Sequence, residues 1–251
     1  MEFVAEPAGH LATHLERDFR IPSKHVLGAG SLFQKAAANL EAIRLLKQVE
    51  QDGRLANEEE KGILVRYTGW GALTQVFHPR VPEEWRSTAS ELETLLTDAE
   101  YKAVRASTPN THYTSSAVIE AIWNALLQFG AASPAKILEP PLGIGHFFGL
   151  MPDQLRANAI RVGIELDSIS ARIAQSLYPN STIREAAFET VSLPKSFFDV
   201  VVGNVPFGNY PVYDPQYAKH ASLTRSIHDY FVLKSVDLVR PGGLVALITS
   251  R

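Results

Sequence analysis

From residue 111 onward, short runs rich in β-branched and apolar residues alternate with longer amphipathic stretches. No other feature of the chain limits its fold so tightly. Strands are expected over residues 135–139, 161–165, 182–186, 198–202 and 244–249, and helices over 116–129, 168–178 and 228–239. A run such as Val200-Val201-Val202 has no polar side and must be covered on both faces. Strands of this kind separated by helices build a parallel sheet between two helical layers. The expected fold class is therefore α/β, Rossmann-like, with a mainly parallel sheet flanked by helices.

Residues 1–108 read differently, as a helical N-terminal region ahead of an α/β domain over 109–251, with the boundary near Pro109. Residues 32–49 place Leu32, Phe33, Ala36, Leu40, Ile43, Leu46 and Val49 at helical spacing. Ser31 and Gln34 form a capping-box pattern at the start, and Gly53 is a plausible stop. Asn57 is placed to cap a second helix over 57–66, with Glu58, Glu59 and Glu60 in its first turn, where the helix dipole favours them. Gly69-Trp70-Gly71, Pro79 and Pro82 keep the next stretch irregular, and a single helix is expected over 90–105. Trp70 is expected as a packing anchor.

Composition excludes several classes. The 251 residues contain no cysteine, which removes disulfides, thiolate metal sites and a cysteine nucleophile. The eight histidines are scattered without metal-ligand spacing, so no metal is expected. No apolar run approaches the roughly 18 residues of a membrane span, and residues 1–6 lack the pattern of a signal peptide. A cytoplasmic chain with no membrane role is the expectation. The formal net charge of -3 argues against a strong electrostatic grip on nucleic acid by this chain alone.

Three constellations carry chemistry, each at the carboxyl end of an expected strand, where open α/β sheets bind ligands. In the first, Glu139 ends a strand and Pro140-Pro141-Leu142-Gly143-Ile144-Gly145-His146-Phe147 follows. Glycines at alternate positions suit a tight turn or a close backbone approach to a ligand. In the second, Glu165, with Leu166 beside it, ends the next strand about twenty residues on. An acid there can accept from both hydroxyls of a ribose; Glu165 alone could merely cap the following helix, but with the glycine turn at that distance nucleoside binding is the better reading. The third is Asn204-Val205-Pro206-Phe207 after the fourth strand. An amine conjugated with a ring is a poor nucleophile because its lone pair is delocalised. If the Asn204 oxygen and the Val205 carbonyl accept its N–H groups, that lone pair turns toward an electrophile. Pro206 holds Val205 extended, and Phe207 supplies a ring for stacking.

Together these residues resemble the class I S-adenosyl-L-methionine-dependent N6-adenine DNA methyltransferases with the gamma-type motif order. Asn204-Val205-Pro206-Phe207 is similar to their catalytic motif, with Val205 where the pattern has its first Pro. Glu139, Pro140, Gly143, Gly145 and Phe147 match the first cofactor motif, and Tyr113 with Thr114 matches the upstream one. The resemblance places Glu165 and Leu166 at the ribose and Phe188 with Glu189 at the cofactor adenine. His228-Asp229-Tyr230-Phe231 and Pro241-Gly242-Gly243-Leu244 are similar to the last helix and strand. Gly69-Trp70-Gly71 extends the likeness to the methylase portion of large methylase–helicase proteins of phage and mobile elements.

The resemblance implies adenine-N6 methylation of DNA, a helicase portion in the same polypeptide, and a closing hairpin and DNA-recognition region beyond Arg251, so that this chain is one piece of a larger protein. RNA adenine or protein glutamine methylation, or a non-catalytic cofactor-binding scaffold, are the alternatives. His146 beside the glycine turn suits either a cofactor contact or a helix start.

Overall fold

Alternate residues of each strand point to opposite faces of one sheet, and the core divides accordingly. The computed structural model describes residues 17–22, 28–108, 114–208, 210–220 and 223–249. Strands β1 (Lys136–Glu139), β2 (Ile160–Glu165), β3 (Thr182–Glu185), β4 (Phe198–Asn204) and β5 (Val239–Ile248) form a five-stranded sheet in the order β3-β2-β1-β4-β5. All neighbouring pairs are parallel, the Rossmann-like arrangement expected for a class I methyltransferase fold. Ile137, Val200 and Val202 join one buried cluster, while Leu138, Val162, Ile164 and Val201 join another on the opposite face. The strand order reverses between β1 and β4, which opens a crevice at their carboxyl ends.

The first cluster is covered by α5 (Ser116–Gln128), α6 (His146–Gly149) and α8 (Ser168–Leu177), with the short α7 (Asp153–Arg156) leading into β2. The second is covered by α9 (Ile227–Leu238) and a short turn at Phe188–Thr190. The N-terminal helices pack into the first cluster, so one apolar core runs from Leu46 and Trp70 through to the sheet. Trp70 is 1% exposed and meets Phe77 edge to face, as a packing anchor does.

Helix α1 (Leu32–Gln51) starts with a reciprocal capping box between Ser31 and Gln34. Helix α2 (Glu58–Leu64) starts with one between Asn57 and Glu60, and ends two residues before the expected Arg66. Arg172 of α8 ties α1 to the helical layer over the sheet by reaching Glu50 at 2.7 Å, and it also reaches Glu100. Nearer the chain start, Asp18 pairs with Arg161 of β2, and the Phe19 N–H donates to the Leu177 carbonyl at 2.8 Å.

Two expectations are corrected. The single helix over 90–105 is two, α3 (Arg86–Leu95) and α4 (Asp98–Ser107). Leu96 is extended between them, and Thr97 with Glu100 makes a fresh capping box. The apolar period continues across this break, which is why it hides the new start. The last strand begins at Val239 and not at Leu244, because a register shift near Phe198 and Val200 absorbs Pro241-Gly242-Gly243 within the pairing. The expected boundary at Pro109 and the start at residues 1–6 lie outside the described residues. No described helix is long and apolar enough to cross a membrane.

Candidate active site

The turn after β1 is stitched to the end of β2. The Leu142 N–H donates to the Ile164 carbonyl at 3.0 Å, and the Gly143 N–H donates to Glu165 Oε2 at 2.7 Å. The Asp167 N–H donates to the other oxygen, Glu165 Oε1, at 2.8 Å. Asp167 in turn caps α8, accepting from the Ser170 N–H and hydroxyl at 3.0 and 2.6 Å. Glu165 is thus held by the backbone in one orientation, with the Leu166 backbone contributing a further hydrogen bond. Burial, with the Asp167 charge adding to it, pushes its carboxyl up to about 7.

Glu139, at the end of β1, is 2% exposed. Burial first, and then the Glu165 charge, raise its carboxyl well above the ordinary range, against a hydrogen bond from the Phe147 backbone. Its Oε2 is buried without a hydrogen-bond partner. His146 starts α6 and is buried, which lowers its imidazole to about 4 and keeps it neutral. Gly143 and Gly145 both adopt positive φ, +56° and +81°. A Cβ on Gly145 would lie 2.5 Å from the Tyr178 ring, so that glycine makes room for packing.

On the other side of the crevice, Asn204 ends β4, and the Val205 N–H donates to the Ile248 carbonyl at 3.0 Å. Val205 is buried in the second cluster, which anchors the strand end against β5. A cavity of about 670 Å³ runs between the two sides. Glu139, Pro140, Gly143 and Phe147 line it from the first turn, and Glu165 and Leu166 from the second. Phe188 and Glu189 line it from the turn after β3, Thr114 from the segment before α5, and Asn204 and Pro206 from the end of β4. The structure thus brings together most of the residues singled out in the sequence. Gly145, Val205 and Phe207 are not on this wall, and Tyr113 lies outside the described residues. Among the described residues no cluster of three or more His, Asp or Glu has the arrangement to hold a metal ion.

No protein-family profile matches the chain. The "Defense against restriction protein B" of Escherichia phage P1 is 30% identical over 216 residues, which is 84% of this chain and 8% of that protein. The chain therefore spans about 8% of the length of that relative. Among solved structures, a type I restriction-modification methyltransferase subunit from Streptococcus thermophilus is similar with a TM-score of 0.48 at 13% identity, over 84% of this chain and 55% of that one. A protein described as a class I S-adenosylmethionine-dependent methyltransferase from Listeria monocytogenes gives a TM-score of 0.42 at 18% identity, over 83% and 72%. At these values the site has to be argued from its own residues.

Those residues include several the motifs did not reveal. Tyr210, Pro211, Val212 and Tyr213 line the cavity beyond Asn204, and Ile227 and Phe231 line it from α9. Tyr210 and Tyr213 are 42% and 78% exposed, so their rings form part of the open mouth. Two tyrosines three residues after Phe207 and beyond were visible as aromatics in the sequence, but nothing local placed them beside Asn204. Phe231 packs on Phe188 with ring centroids 4.9 Å apart, joining α9 to the wall.

Proposed function

We propose that this chain is an S-adenosyl-L-methionine-dependent DNA methyltransferase domain that methylates the N6 amine of adenine. The observation that carries the reading is that Glu165 and Asn204, on different strands, line one cavity. The volume of about 670 Å³ is that of a cofactor site.

The residues fit the cofactor. Glu165 lines the cavity with its carboxyl fixed by backbone N–H groups, where it would accept from the ribose hydroxyls. The buried Oε2 of Glu139 has no partner and offers an acceptor to an ammonium group. Ile164, Leu166, Phe188 and Phe231 supply an apolar lining for a purine. When bound, the cofactor supplies a methyl group on a positively charged sulfonium, an electrophile that needs no metal. The protein's share is orientation and electrostatics. Asn204, on the cavity wall, would accept one N–H of the target amine through its side-chain oxygen; the motif gives the second N–H to the Val205 carbonyl, which lies behind that wall and would have to turn toward the amine. Held so, the amine lone pair would be freed from the ring; transfer would break the donor's sulfur–methyl bond, release S-adenosylhomocysteine and give one amine proton to water.

Adenine in DNA is favoured as the acceptor by the Asn204–Phe207 motif and by similarity to a phage protein named for defence against restriction. A base in a duplex has to flip out of its stack to reach Asn204. With a net charge of -3, the chain leaves most of the phosphate contact to other parts of a larger polypeptide, a helicase portion among them. On this reading, residues 1–108 support the catalytic domain of 109–251. The test is labelled S-adenosylmethionine offered with DNA, RNA and protein acceptors. The expected product is N6-methyladenine in DNA. Label in RNA or in a protein amide would reassign the acceptor, and a protein that binds no cofactor would overturn the reading.

A further inference from the structure

Lys234, in the middle of α9, is 1% exposed, and no step above uses it. A lysine this deep is rare because its ammonium gives up its water, and it persists only where other groups replace that water. Here four acceptors surround it. The ammonium donates to the Phe188 carbonyl at 2.6 Å, the Val191 carbonyl at 3.1 Å and Asp214 Oδ2 at 3.0 Å, and lies 3.1 Å from the Tyr230 hydroxyl. It also sits 4.6 Å from the centre of the Phe188 ring.

Its partners belong to two segments distant in sequence. Phe188 and Val191 bracket the short turn that lines the cavity with Phe188 and Glu189. Asp214, itself 2% exposed, ends the loop that lines the cavity with Tyr210, Val212 and Tyr213. Asp214 is firmly held. The Tyr230 hydroxyl donates to its Oδ2 at 2.7 Å and the Gln216 N–H to its Oδ1 at 2.9 Å. Burial works against the Asp214 carboxylate, yet these bonds and Lys234 hold its carboxyl below the ordinary range. Around this cluster the second core is apolar, so Met or Leu would satisfy position 234 as packing. What only an ammonium does there is tie the two segments together.

We propose that Lys234 is a positioning residue for both walls of the cavity, holding the Phe188 turn through backbone carbonyls and the Tyr210–Tyr213 loop through Asp214. What each wall binds, cofactor adenine on the one and acceptor on the other, rests on the reading given under Proposed function. The two tethers are separable by substitution. Lys234→Met removes both and keeps the apolar stem, whereas Asp214→Asn weakens the loop tether and leaves the carbonyl contacts in place.

Hydrogen exchange, read segment by segment, and calorimetry with S-adenosylhomocysteine test this on the whole chain. Lys234→Met is expected to speed exchange in both 188–191 and 210–216 and to raise the ligand Kd about tenfold, as loss of hydrogen bonds to a charged group does. Asp214→Asn is expected to speed exchange in 210–216 alone, with Kd within about twofold of the parent. A folded Lys234→Met protein with parental exchange in both segments would overturn the proposal. So would an Asp214→Asn protein that loosens the Phe188 turn as much as the loop, and that arm decides alone if Lys234→Met does not fold. A parental chain that binds no S-adenosylhomocysteine would instead remove the proposed function, while the exchange pattern still decides the role of Lys234.

Discussion

On the side of the cavity assigned to the cofactor, the turn after β1 is tied down at nearly every residue. Leu142 and Gly143 bond to the end of β2, Glu139 is buried, and Tyr178 closes on Gly145. On the side assigned to the acceptor, the chain leaves β4 at Asn204 and presents Tyr210 and Tyr213 at the open mouth, with Val212 bonded to the Thr224 carbonyl at 3.0 Å and Asp214 as anchors. A small ligand that is the same in every turnover suits a rigid, preformed wall. An acceptor that must enter, turn and leave suits a wall whose rings stand exposed at the mouth.

The largest effect is expected where the acceptor side does chemistry. Asn204→Ala leaves the target amine with one acceptor, so transfer should fall at least ~10²-fold, as on removing one preorganised partner. Cofactor affinity should stay parental. Initial rates in the full-length protein and calorimetry with S-adenosylhomocysteine check both halves. A parental rate would remove the acceptor mechanism, and lost cofactor binding in a folded protein would put Asn204 on the other wall.

Gly145→Ala probes the rigidity of the cofactor side. A Cβ there meets the Tyr178 ring at 2.5 Å, and the backbone has φ +81°. Left-handed strain and overpacking together should cost about 2–3 kcal/mol of stability. A urea midpoint equal to the parent's would show that Tyr178 yields easily and that this wall is not tightly packed.

Glu165→Ala should weaken cofactor binding about tenfold, through loss of charge-assisted bonds to the ribose. The carboxyl is raised to about 7, and only its ionised form accepts two hydroxyl donors. Lowering the pH from 8 to 6 therefore protonates the group and should reduce parental affinity about tenfold. That pH dependence should flatten in Glu165→Gln. An unchanged slope would assign the titration to Glu139 or another group.

The smallest effect is expected at Tyr213→Ala. It removes an exposed ring from the mouth and should raise the acceptor KM about fivefold, the low end for a stacked base. Cofactor Kd should not move. If Kd rises with KM, the two walls are not separate in the way the structure suggests.

Much of this arrangement is written in local patterns. Apolar runs such as Val200-Val201-Val202 announce buried parallel strands, and Ser31 with Gln34 and Asn57 with Glu60 announce helix starts within four residues. The acids and the amide closing β1, β2 and β4 were legible as well, because a parallel sheet brings strand ends to one rim whatever the details of packing. The break at Leu96 was hidden by an apolar period that runs on through it, although Thr97 and Glu100 carried the signal.

Contacts between distant segments were not legible. Gly145 reads as a ligand-binding glycine until Tyr178, thirty-three residues later, is seen against its Cα hydrogens. Phe207 reads as the stacking ring, yet the rings on the cavity wall after β4 are Tyr210 and Tyr213. Nothing near Lys234 in the sequence marks it, and only the fold surrounds it with Phe188, Val191 and Asp214. Period, capping and strand-end chemistry act within a few residues and are therefore carried by the sequence itself. Burial, room for a ring and the partner of a buried charge depend on which segments the folded chain makes neighbours, and that is decided by the tertiary structure.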